Sequence, residues 1–202
     1  MKKNYIKIIL PIIAVLVIAE SVVLVSGLNK NTQVVDEKSL TEPVVTKSVT
    51  PEGPVMFDLV MATKNKEMSV GKDYQIEVSS LVKSGVGLDA VNLYIKYDPL
   101  AFDVSNLVYG TKLPKPTFSK VSLQKSMIVV NYLISEKNGL KVTENENLSL
   151  LKFTARPKKA GNYSFEISSG NGTEESVTMI VENATSKALP YSSNKLTVNV
   201  LK

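Results

Sequence analysis

One stretch, from residue 87 to residue 104, constrains the fold of this chain more than any other. Before Pro99 every second residue is apolar, which is the period of a strand with one buried face. Pro99 ends that strand, because proline has no N–H for a ladder and moves the preceding residue away from helix. The apolar series is Val91, Leu93, Ile95 and Tyr97, and it resumes at Phe102 and Val104. The pattern predicts a half-buried strand, a sharp Tyr-Asp-Pro corner and a second strand.

The chain after residue 54 repeats short alternating runs and has no sustained helical period. Such runs between turn residues are typical of a sandwich or a barrel. The predicted inward residues include Phe57, Leu59, Met61, Tyr74, Ile76, Val78, Tyr163, Phe165, Ile167, Leu196, Val198 and Val200. Residues 127–134 are apolar almost throughout, which indicates a central strand covered on both sides or an exposed apolar patch. Residues 170–193 leave open an extra strand, for which 176–181 is β-prone.

Three pieces of this pattern resemble cohesin domains of cellulosome scaffolding proteins. They are the corner Tyr97-Asp98-Pro99, the turn Ser69-Val70-Gly71 before Tyr74, and the unit that joins Leu151-Lys152-Phe153-Thr154-Ala155 to Ala160-Gly161-Asn162-Tyr163-Ser164-Phe165. Their order and spacing match across residues 55–202, within the wider group that includes family 3 carbohydrate-binding modules. The resemblance implies an all-β domain, a jelly-roll β-sandwich of about nine strands.

The resemblance also implies a function, which is the binding of a dockerin module without catalysis. In that family one flat sheet face binds the partner, including the outward side chains of the strand before the corner. By alternation these positions are Ala90, Asn92, Tyr94 and Lys96, and on the neighbouring central strand they are Val129, Asn131 and Leu133. Many cohesins have an Asn and an Asp where this chain has Ala90 and Asn92, so the usual dockerin contacts are altered.

The first 28 residues predict a short cytoplasmic stub and a transmembrane helix. Lys2, Lys3 and Lys7 precede an apolar run from residue 8 to residue 28, and about 20 apolar residues cross the hydrocarbon core. Lysines on that side favour a cytoplasmic N-terminus and an extracytoplasmic C-terminal domain in the cell membrane. The predicted anchor residues are Ile8, Leu10, Ile12, Leu16, Glu20 and Leu24. A cleaved signal peptide is the competing interpretation and would yield a secreted protein.

Composition separates the remaining segments and excludes several kinds of chemistry. Residues 29–54 are rich in Thr, Val, Pro, Lys and Glu and lack aromatics, which predicts a flexible extracytoplasmic linker. The absence of Cys and His excludes thiol nucleophiles, disulfides, imidazole zinc sites and histidine bases. The net charge of +5 comes from lysines scattered among acids, so we expect no nucleic-acid partner.

No motif predicts an enzyme, a cofactor or a metal site. The acidic pairs Glu144/Glu146 and Glu174/Glu175 lie in polar turns and are interpreted as solvated loop charges. Two other non-catalytic functions stay open beside docking of a dockerin-bearing enzyme at the cell surface. The first is direct polysaccharide binding on exposed aromatics, for which the candidates are Tyr94, Tyr109, Phe118 and Tyr191. The second is a structural envelope role through self-association.

Overall fold

The computed structural model describes residues 53–169 and 176–202, and its secondary structure there consists of strands and turns. The longer strands are β1 Phe57–Thr63, β3 Tyr74–Val82, β4 Val86–Lys96, β5 Phe102–Tyr109, β6 Phe118–Ser122, β7 Met127–Leu133, β9 Asn147–Pro157, β10 Gly161–Ile167 and β13 Lys195–Leu201. The short strands are β2 Glu67–Ser69, β8 Leu140–Val142, β11 Met179–Glu182 and β12 Tyr191–Ser193.

These strands form a sandwich of two sheets. The five-stranded sheet has the order β12-β1-β3-β9-β5. The eight-stranded sheet has the order β2-β13-β10-β4-β7-β6, and β8 and β11 pair with β4 outside that path. The all-β class and the two-sheet sandwich predicted from alternation are therefore confirmed. The predicted count of about nine is too low, because thirteen strands form in the described residues and four of them have only three or four residues.

The core lies between the sheets because the long strands send alternate apolar residues inward. Val91, Leu93 and Ile95 in β4 are at most 1% exposed, and Tyr97 just beyond them is 5% exposed. The largest fully buried side chains come from both sheets and include Phe57, Leu59, Met61, Ile76, Leu93, Ile95, Phe102, Tyr132, Phe153 and Phe165. Burial of this apolar surface is the main favourable term in folding.

The Tyr-Asp-Pro corner carries the chain from one sheet to the other. The side chain of Asp98 accepts a hydrogen bond from the amide of Leu100 at 2.8 Å, and its carbonyl accepts from Ala101 and Phe102. Asp98 therefore bonds to local backbone, as expected of Asp in a turn. The chain leaves β4 in the eight-stranded sheet and continues as β5 in the five-stranded sheet.

Strand β4 is the centre of the eight-stranded sheet, and both of its edges are paired. One edge pairs with β7 and β8, and the other pairs with β10 and β11. Its register with β11 passes from Ala90 to Leu88, so Asp89 is the extra residue of a β-bulge. Because the bulge shifts the alternation by one residue, both Leu88 and Val91 point into the core.

The predicted anchor, and the predicted linker apart from Gly53 and Pro54, lie outside the described residues. Within the part of the chain that the structure describes, we find no helix with the length and apolarity needed to cross a membrane.

Candidate binding face

The seven residues predicted for partner binding lie together on the outward side of the eight-stranded sheet. Across β4 and β7 the register pairs Ala90 with Leu133, Asn92 with Asn131 and Tyr94 with Val129. Directly paired residues of antiparallel strands share a face, and Lys96 follows Tyr94 by two residues on that side. The inward partners between them, such as Leu93 and Val130, are buried. The alternation therefore placed all seven side chains on one surface.

Two further strands extend this surface with residues that sequence reasoning did not assign to it. On β6, Phe118 pairs with Asn131 and Lys120 pairs with Val129. On β11, Met179 pairs with Asn92 and Val181 pairs with Ala90. Neither run, Phe-Ser-Lys-Val-Ser in β6 or Met-Ile-Val-Glu in β11, alternates between apolar and polar residues, and only long-range strand pairing shows which neighbours they have. We call the combined surface the candidate face; it comprises Ala90, Asn92, Tyr94, Lys96, Phe118, Lys120, Val129, Asn131, Leu133, Met179 and Val181.

The candidate face exposes large apolar side chains around a pair of amides. Leu133 is 61% exposed, Phe118 is 49% exposed and Met179 is 40% exposed. Asn92 and Asn131 lie between them, and the Oδ1 atom of Asn131 is buried without a hydrogen-bond partner among the described residues. Exposed apolar side chains that cluster mark an interaction surface more often than isolated ones do. The side-chain oxygen of Asn131 is thus an unused acceptor beneath this face, whereas its backbone carbonyl accepts from Thr117.

The opposite outer surface, on the five-stranded sheet, is charged where the candidate face is apolar. It is covered by ion pairs, among them Lys83–Asp58 at 2.6 Å and Lys152–Glu77 at 3.4 Å. Hydrogen bonds from Lys83 and Ser192 hold the pKa of Asp58 below its usual value. Exposed pairs of this kind contribute little to stability but keep a surface polar and hydrated. Of these two outer surfaces, only that of the eight-stranded sheet thus has the apolar cluster.

Partly buried hydrogen bonds hold the candidate face in place where β10 ends and β11 begins. The backbone amide of Tyr94 donates to Oγ1 of Thr178 at 3.0 Å, and the carbonyl of Tyr94 accepts from the Ser168 amide at 2.8 Å. The Tyr191 hydroxyl donates to the Thr178 carbonyl at 3.1 Å. Burial raises the pKa of Tyr191. The Thr178 side chain and the Ser168 amide therefore complete the ladder on the edge of β4 between the part that pairs with β10 and the part that pairs with β11.

The four aromatics considered for sugar binding are divided between the sheets. Tyr94 and Phe118 belong to the candidate face, whereas Tyr109 is in β5 and Tyr191 is in β12 of the other sheet. The Tyr109 hydroxyl is 2.7 Å from Oγ of Ser119, and its ring lies edge-on to Tyr132. The four rings therefore do not form one planar strip.

Of the acidic pair in the loop before β9, Glu146 has hydrogen-bond partners. Glu146 binds Lys112 and the Thr143 amide, and the hydrogen bond from Lys112 is the largest cause of its lowered pKa. Glu144 is exposed, and Glu174 and Glu175 lie outside the described residues. Among the residues that are described, no three acidic side chains are grouped closely enough to hold a metal ion.

No protein-family model matches the sequence, and no curated protein matches it significantly. Solved structures match in fold. A chain from a type I cohesin–dockerin complex of Clostridium thermocellum is 15% identical with a TM-score of 0.56, and the match covers 72% of this chain and 99% of that one. A type I cohesin from Pseudobacteroides cellulosolvens is 11% identical with a TM-score of 0.57, covering 73% and 94%.

A non-cellulosomal cohesin from the archaeon Archaeoglobus fulgidus is 14% identical, with a TM-score of 0.53, and the match covers 73% of this chain and 93% of that one. The match to each of these structures spans nearly the whole of the solved chain and about three quarters of this chain. At sequence identities this low, the structural similarity shows the fold alone. The described part of this chain has the fold of cohesin domains.

Proposed function

We propose that this chain is a non-catalytic binding module that docks dockerin-bearing proteins, polysaccharide-degrading enzymes among them, at the cell surface. The observation that supports this most directly is the apolar candidate face, where Leu133, Phe118 and Met179 are exposed on one sheet. A few apolar anchors near the centre of a protein interface supply most of its binding energy. Several structures with the same fold are type I cohesins solved in complex with dockerins.

The proposed contacts differ from those that the family resemblance implies. Ala90 and Asn92 stand where many cohesins have an amide and a carboxylate, so this face lacks that charge. Tyr94, Val129 and Leu133 supply apolar area beside them. We therefore assign most of the binding energy to apolar contact.

A double variant of the full-length chain tests the docking function. Tyr94→Ala with Leu133→Ala removes two outward side chains and leaves the core intact, so the fold should be retained. We expect binding to a panel of purified dockerin modules, measured by biolayer interferometry, to weaken roughly tenfold or more in this variant. The matched control is Val60→Ala with Val108→Ala, which truncates two exposed valines of the five-stranded sheet and should leave affinity unchanged. Equal affinity of the wild type and the Tyr94/Leu133 variant would exclude this face.

We also propose that the protein is a single-pass membrane protein with a cytoplasmic N-terminus. The support is the lysine-flanked apolar run of the first 28 residues. Protease added to intact cells should then digest the C-terminal domain, and the cell-associated fraction should hold the full-length chain. Release of a shortened chain into the medium would instead indicate a cleaved signal peptide.

Direct polysaccharide binding is a second candidate, and one observation favours it. Phe118 and Tyr94 are aromatic members of the same outward face, and sugar rings stack on aromatic surfaces. Retention of the full-length chain on insoluble cellulose or chitin, lost in Phe118→Ala, would support this function. If the chain binds neither dockerins nor polysaccharides and only self-associates, a structural envelope role is the better account.

A further inference from the structure

Five turns meet at one end of the sandwich, where the Tyr-Asp-Pro corner lies, and backbone hydrogen bonds join them. The amide of Lys158, after β9, donates to the Ala101 carbonyl of the corner at 2.7 Å. The amide of Gly71, after β2, donates to the Pro157 carbonyl at 2.8 Å. Further bonds attach the end of β13 and the two other turns, from Val70 to Leu201, from Asn199 to Lys66 and from Tyr97 to Ser126. We call this end the rim; it comprises residues 63–73, 97–103, 122–126, 156–161 and 199–201.

The rim has apolar side chains at the tips of its turns. Leu100 in the corner is 70% exposed and Leu123 in the β6–β7 turn is 63% exposed, the two highest values among the large apolar side chains that are described. Val70 and Leu201 are exposed on the rim as well. At the opposite end, the described turns of residues 83–85, 110–117, 134–139, 143–146 and 183–190 expose no large apolar side chain. Exposed apolar clusters mark contact sites for proteins or membranes.

The rim also has a net positive charge of +3. It contains seven basic residues, Lys64, Lys66, Lys72, Lys125, Arg156, Lys158 and Lys159, and four acidic residues, Glu67, Asp73, Asp98 and Asp103. The carboxylates of Asp73 and Asp103 are paired with basic side chains of the same rim. The other five basic residues, all lysines, form no ion pair with another described residue. Three charged residues of the sheet behind the rim are outside this count because they have partners: Lys96, Glu166 and Lys195.

We infer that the rim binds the surface of a lipid bilayer that contains anionic lipids, with Leu100 and Leu123 inserted at the level of the headgroups. Such binding scales with the apolar area that enters the interface and with the attraction between basic side chains and anionic lipids. Lysines suit this position, because their stems cover apolar surface while the ammonium groups stay among the phosphates. A soluble polyanion would neutralise the lysines but would leave both leucines in water. This contact goes beyond the proposed docking and uses no residue of the candidate face.

The predicted linker is long enough to let the rim reach the bilayer. Strand β1 begins at the end opposite to the rim, since Phe57 pairs with Val82, the last residue of β3. The domain must therefore turn over to place its rim on a membrane that holds the predicted anchor. A chain of the length of residues 29–54 spans at most about 85 Å when extended. The longest strands have 11 residues, which correspond to a length of about 36 Å.

The test uses a single fluorescent label, which is possible because the chain has no Cys. Gln124→Cys, next to Leu123 at the tip of its turn, is labelled with an environment-sensitive dye in the full-length chain. The labelled chain is reconstituted into phosphatidylcholine vesicles with or without phosphatidylglycerol, and a lipid-attached quencher reports insertion. We expect quenching and a shift of emission to shorter wavelength in the vesicles that contain phosphatidylglycerol. The control label is Glu144→Cys, at an exposed position of the opposite end, which should stay in water.

Two double variants separate the apolar contribution from the charge. Leu100→Ser with Leu123→Ser should lower the ratio of inserted to free label roughly tenfold or more, because the apolar area that enters the bilayer is removed. Its matched control is Val60→Ser with Val108→Ser, at two exposed positions of the five-stranded sheet, which should leave the ratio unchanged.

The charge variant is Lys72→Glu with Lys159→Glu, which should abolish the dependence on phosphatidylglycerol. Lys137→Glu with Lys187→Glu changes the net charge equally at exposed positions of the opposite end and should retain that dependence.

Three results would overturn the inference. The first is a label at position 124 that stays in water in both kinds of vesicle. The second is equal quenching of the label at position 144, because the N-terminal segment alone would then bring the domain to the bilayer. The third is unchanged insertion after loss of both leucines, which would assign the contact to charge alone, as for a soluble polyanion.

Discussion

Tyr132 in β7 donates the hydrogen of its phenol group to the carbonyl oxygen of Leu150 in β9, so one side chain joins the two sheets through the core. The register of β3 with β9 passes from Leu151 to Ser149, which makes Leu150 the extra residue of a β-bulge. The amide of Gly110 donates to the same carbonyl at 3.2 Å. The bulge thus turns a backbone acceptor toward the opposite sheet, and a tyrosine from that sheet uses it.

Removal of the Tyr132 hydroxyl should cost stability without changing the fold. The substitution Tyr132→Phe keeps the buried ring and removes the hydrogen bond, so the free energy of unfolding should fall by about 1–2 kcal/mol. Urea denaturation would measure it, with an unchanged m-value. Tyr163→Phe is the control, because its hydroxyl makes one long bond of 3.3 Å near the surface, and it should change stability by less than about 0.5 kcal/mol. Similar losses in both variants would contradict the bridging role of Tyr132.

Gly110 should tolerate no side chain. A Cβ atom at this position would lie 1.8 Å from the carbonyl oxygen of Ser149. Because that oxygen belongs to the bulged backbone of β9, Gly110→Ala should destabilise the domain by about 3 kcal/mol or more. Gly85→Ala is the matched control, since its Cβ would meet no atom closer than 3.4 Å. Thermal unfolding of the two variants should separate them clearly, and similar melting temperatures would show that the loop before β6 moves freely.

Thr178 should be required to keep the edge of β4 hydrogen-bonded beside the candidate face. Thr178→Val has nearly the same shape but leaves the Tyr94 amide without its acceptor, which should lower the free energy of unfolding by about 1–3 kcal/mol. Hydrogen exchange of the Tyr94 amide should accelerate at the same time. Thr63→Val removes an exposed hydroxyl bonded to the Gln75 carbonyl and should leave both quantities nearly unchanged. Unaltered exchange at Tyr94 would mean that another group protects its amide.

Alkaline pH should unfold the domain through its buried tyrosines. Burial raises the pKa of Tyr97, Tyr132 and Tyr191 above the ordinary value of 10.0. The folded state therefore retains protons that the unfolded state loses, so stability is fully present below pH 10 and declines as pH rises through the raised pKa values. Urea midpoints between about pH 8 and 12 should show this decline. The decline should be shallower in Tyr132→Phe than in the wild type, and parallel curves would contradict the assignment.

The two-residue alternation along the strands predicted more of the candidate face than of the order of the strands in the sheets. It placed Asn92, Tyr94, Val129 and Leu133 on one outward surface, because strand alternation is a local property. It did not indicate that β6 and β11 flank them, because pairing partners are set by contacts far apart in sequence. Three of the four short strands escaped prediction for a related reason, whereas β11 overlaps the β-prone residues 176–181. A strand of three residues, such as β8, has too few positions to show alternation and forms only by pairing with β4.

Strand β1 is the first described strand after the predicted linker, and its place in the five-stranded sheet has a mechanical consequence. It is hydrogen-bonded to β3 over seven residue pairs and to β12, in parallel, over three. Because ladder hydrogen bonds are perpendicular to the strand, a pull that runs along β1 loads them together in shear and does not open them one by one. A domain that holds a partner on one sheet while its linker enters the other would resist tension at the point where the linker joins β1.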